Sequence, residues 1–165
     1  MHMVIRAIVY ADDEKEAHEN AKAIFERKTE GQHPFDYFTM FDDTSSEMSG
    51  PARFGKRPPV SLATSKEGKK LIEDGMKYTK ESFIEALEKL RKNIEGKSNE
   101  ELYIERYGEY RHNAYSVGAY QGPGIFIYDN DGEGIRDPGY LHDALNKWGT
   151  KDSRKVYVVP ADVHF

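Results

Sequence analysis

An α+β sandwich is the fold class predicted by the order of elements along the chain, and three observations carry it. Val4 to Tyr10 (Val-Ile-Arg-Ala-Ile-Val-Tyr) is a short, almost wholly apolar run, as expected of a central strand covered by other elements. An amphipathic helix follows it directly. After a long middle section, the order strand, helix, strand recurs between Ile125 and Val159. Two βαβ-like halves around one sheet are the pattern of a ferredoxin-like βαβ–βαβ sandwich, here with a helical insertion over about 44–110 between the second and third strands. A chain of 165 residues can bury about 68–70% of the surface its unfolded form exposes, so residues 1–165 are expected to form one domain.

Each element has a local reason. The first strand stops at Ala11-Asp12. Asp13 with Glu16 has the spacing of a capping box, and Ala17, Ala21, Ile24 and Phe25 recur at helical intervals to about Lys28. Gly31 and Pro34 end that helix. Phe35 to Phe41 is aromatic-rich and roughly alternating, which predicts a second strand with one exposed face. Residues 42–60 shift to Ser, Gly, Pro and charge and read as a long loop.

Thr64 with Glu67 offers a second capping box, followed by Leu71, Ile72, Gly75 and Met76, then by the stripe Phe83, Leu87, Leu90 and Ile94 up to Gly96. One helix and two helices broken near Gly75 or Thr79 both fit this spacing. Ser98 with Glu101 begins a short helix ending near Gly108. Asn113 to Tyr120, the turn Gly122-Pro123-Gly124 and the strand Ile125 to Tyr128 suggest a hairpin. Asp137-Pro138 are N-cap and first-turn residues for a last helix closed by Gly149. Lys155 to Val159 is the final strand, and Pro160 places its continuation at an edge or strand end.

Composition removes whole classes of function. The absence of cysteine excludes thiolate zinc sites, cysteine nucleophiles and disulfide frameworks. A net charge of −5 and a pI near 5.7 argue against general nucleic-acid binding, which draws on Lys and Arg neutralising phosphates. No stretch approaches the roughly 18 apolar residues that span a bilayer, and Met1-His2-Met3 is not a basic segment followed by a long apolar run. The expectation is a soluble, cytoplasmic protein without a membrane partner, with Met1-His2 a cloning remnant and His2 outside the fold.

Two loops are the candidate sites. Asp129, Asp131 and Glu133 alternate with Asn130, Gly132 and Gly134 at the exit of the third strand. The opening resembles a calcium loop, but the twelfth position holds Tyr140 in place of a bidentate Glu, and Pro138 starts a helix too early. A Mg²⁺ or Mn²⁺ site is less demanding, since one or two carboxylates and a substrate phosphate suffice. The competing and favoured reading is a solvated turn. The second loop, Gly50 to Pro59, carries Arg53, Lys56 and Arg57 with no acidic residue between Met48 and Ser65. Guanidinium forks among glycines suit a phosphate or carboxylate, although no P-loop pattern is present and charges balancing Asp42, Asp43 and Glu47 explain the loop equally.

His112, His142 and His164 are left as proton carriers that only folding can assemble, with no zinc spacing between any two. Asp162 and His164 alternate and would share one face of an extended segment, the arrangement of an oriented general base. Five of the eleven tyrosines lie between Tyr103 and Tyr120, interleaved with Arg106, Arg111 and His112. Tyr103, Tyr107 and Tyr110 have helical spacing, and Tyr115 and Tyr120 are candidates for stacking on a nucleotide or for packing in a core or interface.

Two functions remain. One is binding of a phosphate-bearing small molecule or nucleotide by Arg53, Lys56, Arg57, Tyr115 and Tyr120, with a divalent cation on Asp129, Asp131 and Glu133. Its catalytic form is a metal-dependent phosphohydrolase or phosphodiesterase using His112, His164 and Asp162. The other is a non-enzymatic, homodimeric interaction module that uses the helical insertion and the Tyr-rich segment.

Overall fold

The computed structural model describes residues 1–31, 34–105 and 108–165. In chain order these form β1 (His2–Ala11), α1 (Glu14–Arg27), β2 (Tyr37–Met40), α2 (Pro51–Phe54), β3 (Ser61–Leu62), α3 (Lys66–Ile94), α4 (Asn99–Ile104), α5 (Glu109–Gly118), β4 (Ile127–Tyr128), α6 (Pro138–Leu145), a 3-10 turn at Lys147–Gly149, and β5 (Lys155–His164). The protein is α+β, with a five-stranded mixed sheet ordered β2-β5-β1-β4, in which β3 also lies against β5. β4 runs parallel to β1, while β5 is antiparallel to β1, β2 and β3. Among the described residues, no helix is long and apolar enough to cross a membrane.

β1 reads as continuously apolar because both of its faces are covered. One face packs Ile5, Ala7 and Val9, with Val159, Ala161 and Val163 of β5, against Ala17, Ala21, Ile24 and Phe25 of α1. The other sets Ile8 and Tyr10, with Val158 and Ile127, against Leu71 and Ile72 of α3 and Ala144 of α6. α1 starts where Asp13 accepts a hydrogen bond from the Glu16 amide, and α6 where Asp137 accepts from the Tyr140 amide. α4 carries a complete capping box between Ser98 and Glu101.

Several expectations are corrected. Asn113 to Tyr120 is no hairpin strand: residues 109–118 are helical, and the strand at Ile127–Tyr128 takes β1 as its sheet neighbour. The stretch from Lys66 to Ile94 is one helix, capped by the Ser65 hydroxyl and not by Thr64. Gly75 does not break it, since the missing side chain is what lets α3 approach the sheet. β5 continues through Pro160 as an interior strand. Pro160 falls between the residues paired with β3 (157–158) and those paired with β2 (161–164), so no neighbour on that side loses a ladder bond. His2 lies inside the fold, in β1, with its ring against the buried Asp162 carboxylate. Tyr103 and Tyr110 belong to different helices, while Tyr107 and Arg106 lie outside the described residues.

α3 is longer than the sheet it covers. At 29 residues it extends about 44 Å, against about 33 Å for the ten residues of β1. Its first half is buried on the sheet through Gly68, Leu71, Ile72, Gly75 and Thr79, whereas beyond Thr79 only Ala86 is buried. The second half runs out over one end of the sheet, where it leaves a cavity.

Candidate functional site

On the face covered by α3 the sheet is apolar at one end and polar at the other. Side chains alternate across a strand, so β1 presents His2, Val4, Arg6, Ile8 and Tyr10 there in turn. Register places His2 opposite His164, and Tyr37 opposite His164 on the far side, making a row of three rings across three strands. The Tyr37 and His164 rings stack at 5.1 Å, and the His2 ring meets that of His164 edge-on at 4.9 Å. One row inward, Asp162 stands between Val4 and Thr39.

Asp162 has no exposed surface. Both of its oxygens face His2 Nδ1, at 3.0 and 3.1 Å, and Oδ2 accepts the Gly50 amide at 2.7 Å. Gly50 supplies that amide because it sits at φ 57° and ψ −126°, a region other residues avoid, and because a β-carbon there would stand 2.8 Å from Thr39 Cγ2. His164 does not partner Asp162 as the alternation suggested. Its Nδ1 bonds Asp36 at 2.8 Å, leaving the buried carboxylate to His2.

Arg6 lies deeper, 2% exposed and held between the sheet and Gly75 of α3. Its guanidinium turns back toward the His2 end of β1 and donates to the Val4 carbonyl. It takes part in no ion pair among the described residues, and its Nε has no hydrogen-bond partner. Its pKa is brought down to about 10, chiefly by burial, with Asp74 opposing the shift, Arg57 adding to it and Tyr78 opposing it. An arginine is among the costliest side chains to bury without a partner. This one is charged at neutral pH and faces a cavity.

That cavity has a volume of about 890 Å³ and opens between the polar end of the sheet, the outer half of α3, α5 and the α2 loop. Arg6, Arg57, Lys89 and His2 contribute cationic or polar groups, Asp74 and Glu85 contribute carboxylates, and Phe54, Tyr78 and Phe126 contribute aromatic wall. Tyr78 and Phe126 lie 5.6 Å apart, and the Arg6 guanidinium sits 5.7 Å from the centre of the Tyr78 ring. Its size suits a small organic ligand, and an apolar wall with a few convergent polar groups is the usual make-up of such sites.

Of the residues singled out in the sequence, Arg57, His112 and Tyr115 line this cavity. Arg57 is fixed there by its contact over the Phe41 ring at 4.6 Å and by a hydrogen bond to the Phe54 carbonyl. Arg53 and Lys56 are exposed and do not line it, the Arg53 Nε being occupied by the Met48 carbonyl. Tyr120 lies elsewhere, under the Arg136 guanidinium at 4.8 Å. Arg136 also donates to the carbonyls of Ser116, Val117 and Ala119, so it closes the C-terminal end of α5.

The acidic loop stands at the other end of the sheet. Asn130 Oδ1 accepts the Tyr10 amide at 2.9 Å, four strand residues and about 13 Å from Arg6. Neither Asp129 nor Asp131 nor Glu133 lines the cavity with Arg57. Asp129 is 2% exposed, and its carboxylate organises the turn: Oδ1 accepts the amides of Asp131 and Glu133, and Oδ2 accepts the Tyr140 hydroxyl at 2.6 Å. Asp131 and Glu133 point to solvent. Among the described residues, no three His, Asp or Glu side chains gather where they could share a metal ion.

Sequence reading missed Arg6, His2 and Tyr78. The signal for Arg6 was present, as the single charge within Val4 to Tyr10. His2 and Tyr78 carry no local pattern, because only strand register and helix crossing bring them to the cavity. A family model described as "Domain of unknown function (DUF7995)" matches residues 1–165. No curated protein and no solved structure matches the chain.

Proposed function

The chain belongs to the DUF7995 family, and from the cavity on its sheet we propose that it binds a phosphate-bearing small molecule, with Arg6 and Arg57 taking the phosphate and the aromatic wall taking the rest. The observation that carries this reading is Arg6: a guanidinium 2% exposed, without an ion-pair partner among the described residues, with an unsatisfied Nε and an open cavity in front of it. A buried charge of this kind costs stability unless something completes it. A phosphate does so well, since its oxygens match the planar donor fork of arginine and its double charge suits two adjacent guanidinium groups. Tyr78 and Phe126 favour a planar organic group on the same ligand, as in a nucleotide or an aryl phosphate. The divalent cation has no part in this proposal, because the acidic loop stands about 13 Å away along β1. For the fold itself we read a ferredoxin-like arrangement from the central trio β5-β1-β4, with β2 set against β5.

Thermal unfolding with inorganic phosphate, phenyl phosphate, AMP and benzoate tests the reading. A ligand at 100 times its dissociation constant stabilises the native state by about 2.7 kcal/mol. The expected result is a rise in Tm with at least the aryl phosphates that Arg6→Met abolishes and Arg57→Met weakens. A rise that survives Arg6→Met, or none with any phosphate, overturns it. A response to benzoate equal to that of phenyl phosphate moves the ligand class from phosphates to carboxylates.

A second reading rests on a different surface. Tyr103 and Ile104, adjacent in α4, are 79% and 67% exposed. Apolar groups displayed together in this way suit contact with a second copy of the chain. Light scattering after size exclusion distinguishes the two readings, since a monomer at high concentration removes the second and leaves the first untouched.

A further inference from the structure

We infer that the phosphate-bearing molecule also carries an amine, and that Asp74 is the residue that selects it. This rests on the anion site proposed above and narrows its ligand to a phosphate monoester with an amino group a few bonds from the phosphate.

The outer half of α3 turns a graded face to the cavity. Asp74, Tyr78, Ser82 and Lys89 recur there at helical intervals, with Glu85 beside them. A carboxylate opens that face, an aromatic ring follows one turn on, and an ammonium group ends it. Asp74 is half-buried and takes part in no ion pair among the described residues. Glu85 differs, because its Oε1 lies 2.5 Å from Lys89 Nζ and the two exposed side chains neutralise one another.

With that pair set aside, the charged Arg, Lys, Asp and Glu side chains lining the cavity are Arg6 and Arg57 against Asp74. A phosphate monoester brings a charge of about −1.5 to −2 at neutral pH, which the two guanidinium groups take up. Asp74 is then a negative charge left beside a dianion. An ionised carboxylate can only accept hydrogen bonds, so what completes it is a donor, and a positively charged one also balances the charge. An ammonium group on the ligand supplies both. Inorganic phosphate and phenyl phosphate supply neither.

Asp74 is not simply the counter-ion of Arg6. It precedes Gly75, where the arginine stem rests, yet the guanidinium turns away toward the Val4 carbonyl and sits 5.7 Å from the centre of the Tyr78 ring, one turn farther along α3. The two charges stay near without pairing: after burial itself, Asp74 is the largest influence on Arg6, ahead of Arg57 and Tyr78. One helical turn is about 5.4 Å, an interval that a phosphate and an amine on neighbouring positions of one small molecule can span.

Calorimetric titration with phenyl phosphate and with the ortho and meta isomers of (aminomethyl)phenyl phosphate tests this, in the wild type and in Asp74→Asn, with benzylamine as the amine lacking a phosphate. At least one amine isomer should bind the wild type about tenfold more tightly than phenyl phosphate, the gain of one charge-assisted hydrogen bond. Asp74→Asn should erase that gain while binding phenyl phosphate at least as well as before, since it drops the opposing charge. Should the variant not fold, the wild-type comparison still decides. Equal affinity for phenyl phosphate and both amines, in binding that Arg6→Met abolishes, overturns the amine and keeps the anion site. A gain that persists in Asp74→Asn overturns the role of Asp74. Benzylamine bound as tightly as the phosphates, or no phosphate bound at all, removes the anion site and this inference with it.

Discussion

Arg6 Cδ lies 3.3 Å from the point where a β-carbon on Gly75 would stand, so the α3 backbone rests directly on the stem of the buried arginine. The same imagined carbon would meet Ile127 Cβ at 2.9 Å, on a strand that cannot swing aside. Gly75→Ala tests this closeness. Ala favours a helix interior by about 1 kcal/mol over Gly, whereas overpacking costs about 1–3 kcal/mol. The contact with a strand β-carbon tips the balance, and a net loss of up to about 2 kcal/mol is expected in urea denaturation. The response to phenyl phosphate should weaken in parallel, because any shift of α3 moves the arginine stem. A stabilised Gly75→Ala would mean that helix and sheet are farther apart than these distances require.

Arg6→Met should make the free protein more stable. The folded-state pKa of about 10 lies below the ordinary 12.5, chiefly through burial, so folding disfavours the charged form. By the free energy of that difference the charge costs roughly 3 kcal/mol at pH 7. The sign follows directly: the cost is present in full below about pH 10 and is relieved as pH rises from there toward 12.5. Methionine keeps most of the stem and drops the charge. A gain approaching this size at pH 7, measured by urea denaturation without added anions, is the expected result. A loss would show that Arg6 holds the fold together, and its burial would then no longer argue for a ligand.

The acidic turn depends on Asp129 rather than on its exposed neighbours. Tyr140→Phe removes one hydroxyl and keeps the edge-on contact of the ring with Trp148 at 4.9 Å. It leaves Asp129 Oδ2 without its donor at a site 2% exposed. A buried acceptor stripped of its partner costs about 1–3 kcal/mol, which thermal or urea unfolding resolves easily. The tyrosine itself reports the contact: burial first, and then donation to Asp129, push its ionisation above the ordinary value near 10. Burial also raises Tyr10 and Tyr128, so ultraviolet titration should show several late tyrosines, and the Phe variant should lack one of them. Asp131→Asn and Glu133→Gln should each change stability by less than about 0.5 kcal/mol, the usual range for surface substitutions.

Elements whose signal is local were legible in the chain. The spacing of Asp13 and Glu16, the Ser98 capping box and the Asp137-Pro138 pair marked helix starts to within a residue, because capping is an interaction between near neighbours. Thr64 was one residue off for the same reason, since Ser65 offers an equivalent hydroxyl. What failed was non-local. Asn113 to Tyr120 alternates well enough for a strand, yet its helix is set by packing along α3, where Asn113 Nδ2 reaches Asn93 at 2.8 Å. The partner of Asp162 could not be read from residues 161–165, because a strand 160 residues earlier in the chain supplies it. Arg57 was found through the local charge excess, and Arg6 was hidden in the strand that announced the fold.

Gly50→Ala should cost more than a single added methyl usually does. The backbone there has φ 57° and ψ −126°, the mirror image of an extended conformation, which costs an L-residue about 1–3 kcal/mol. The added carbon would also press on Thr39 Cγ2 at 2.8 Å and on the Met40 carbonyl at 3.3 Å. Relief requires the loop to lift, and lifting withdraws the amide that Asp162 Oδ2 accepts at 2.7 Å. A fully buried carboxylate then keeps His2 as its remaining partner among the described residues. The expected outcome is a loss of about 2–4 kcal/mol in urea denaturation. A Gly50→Ala protein of unchanged stability would show that the loop amide does not hold Asp162.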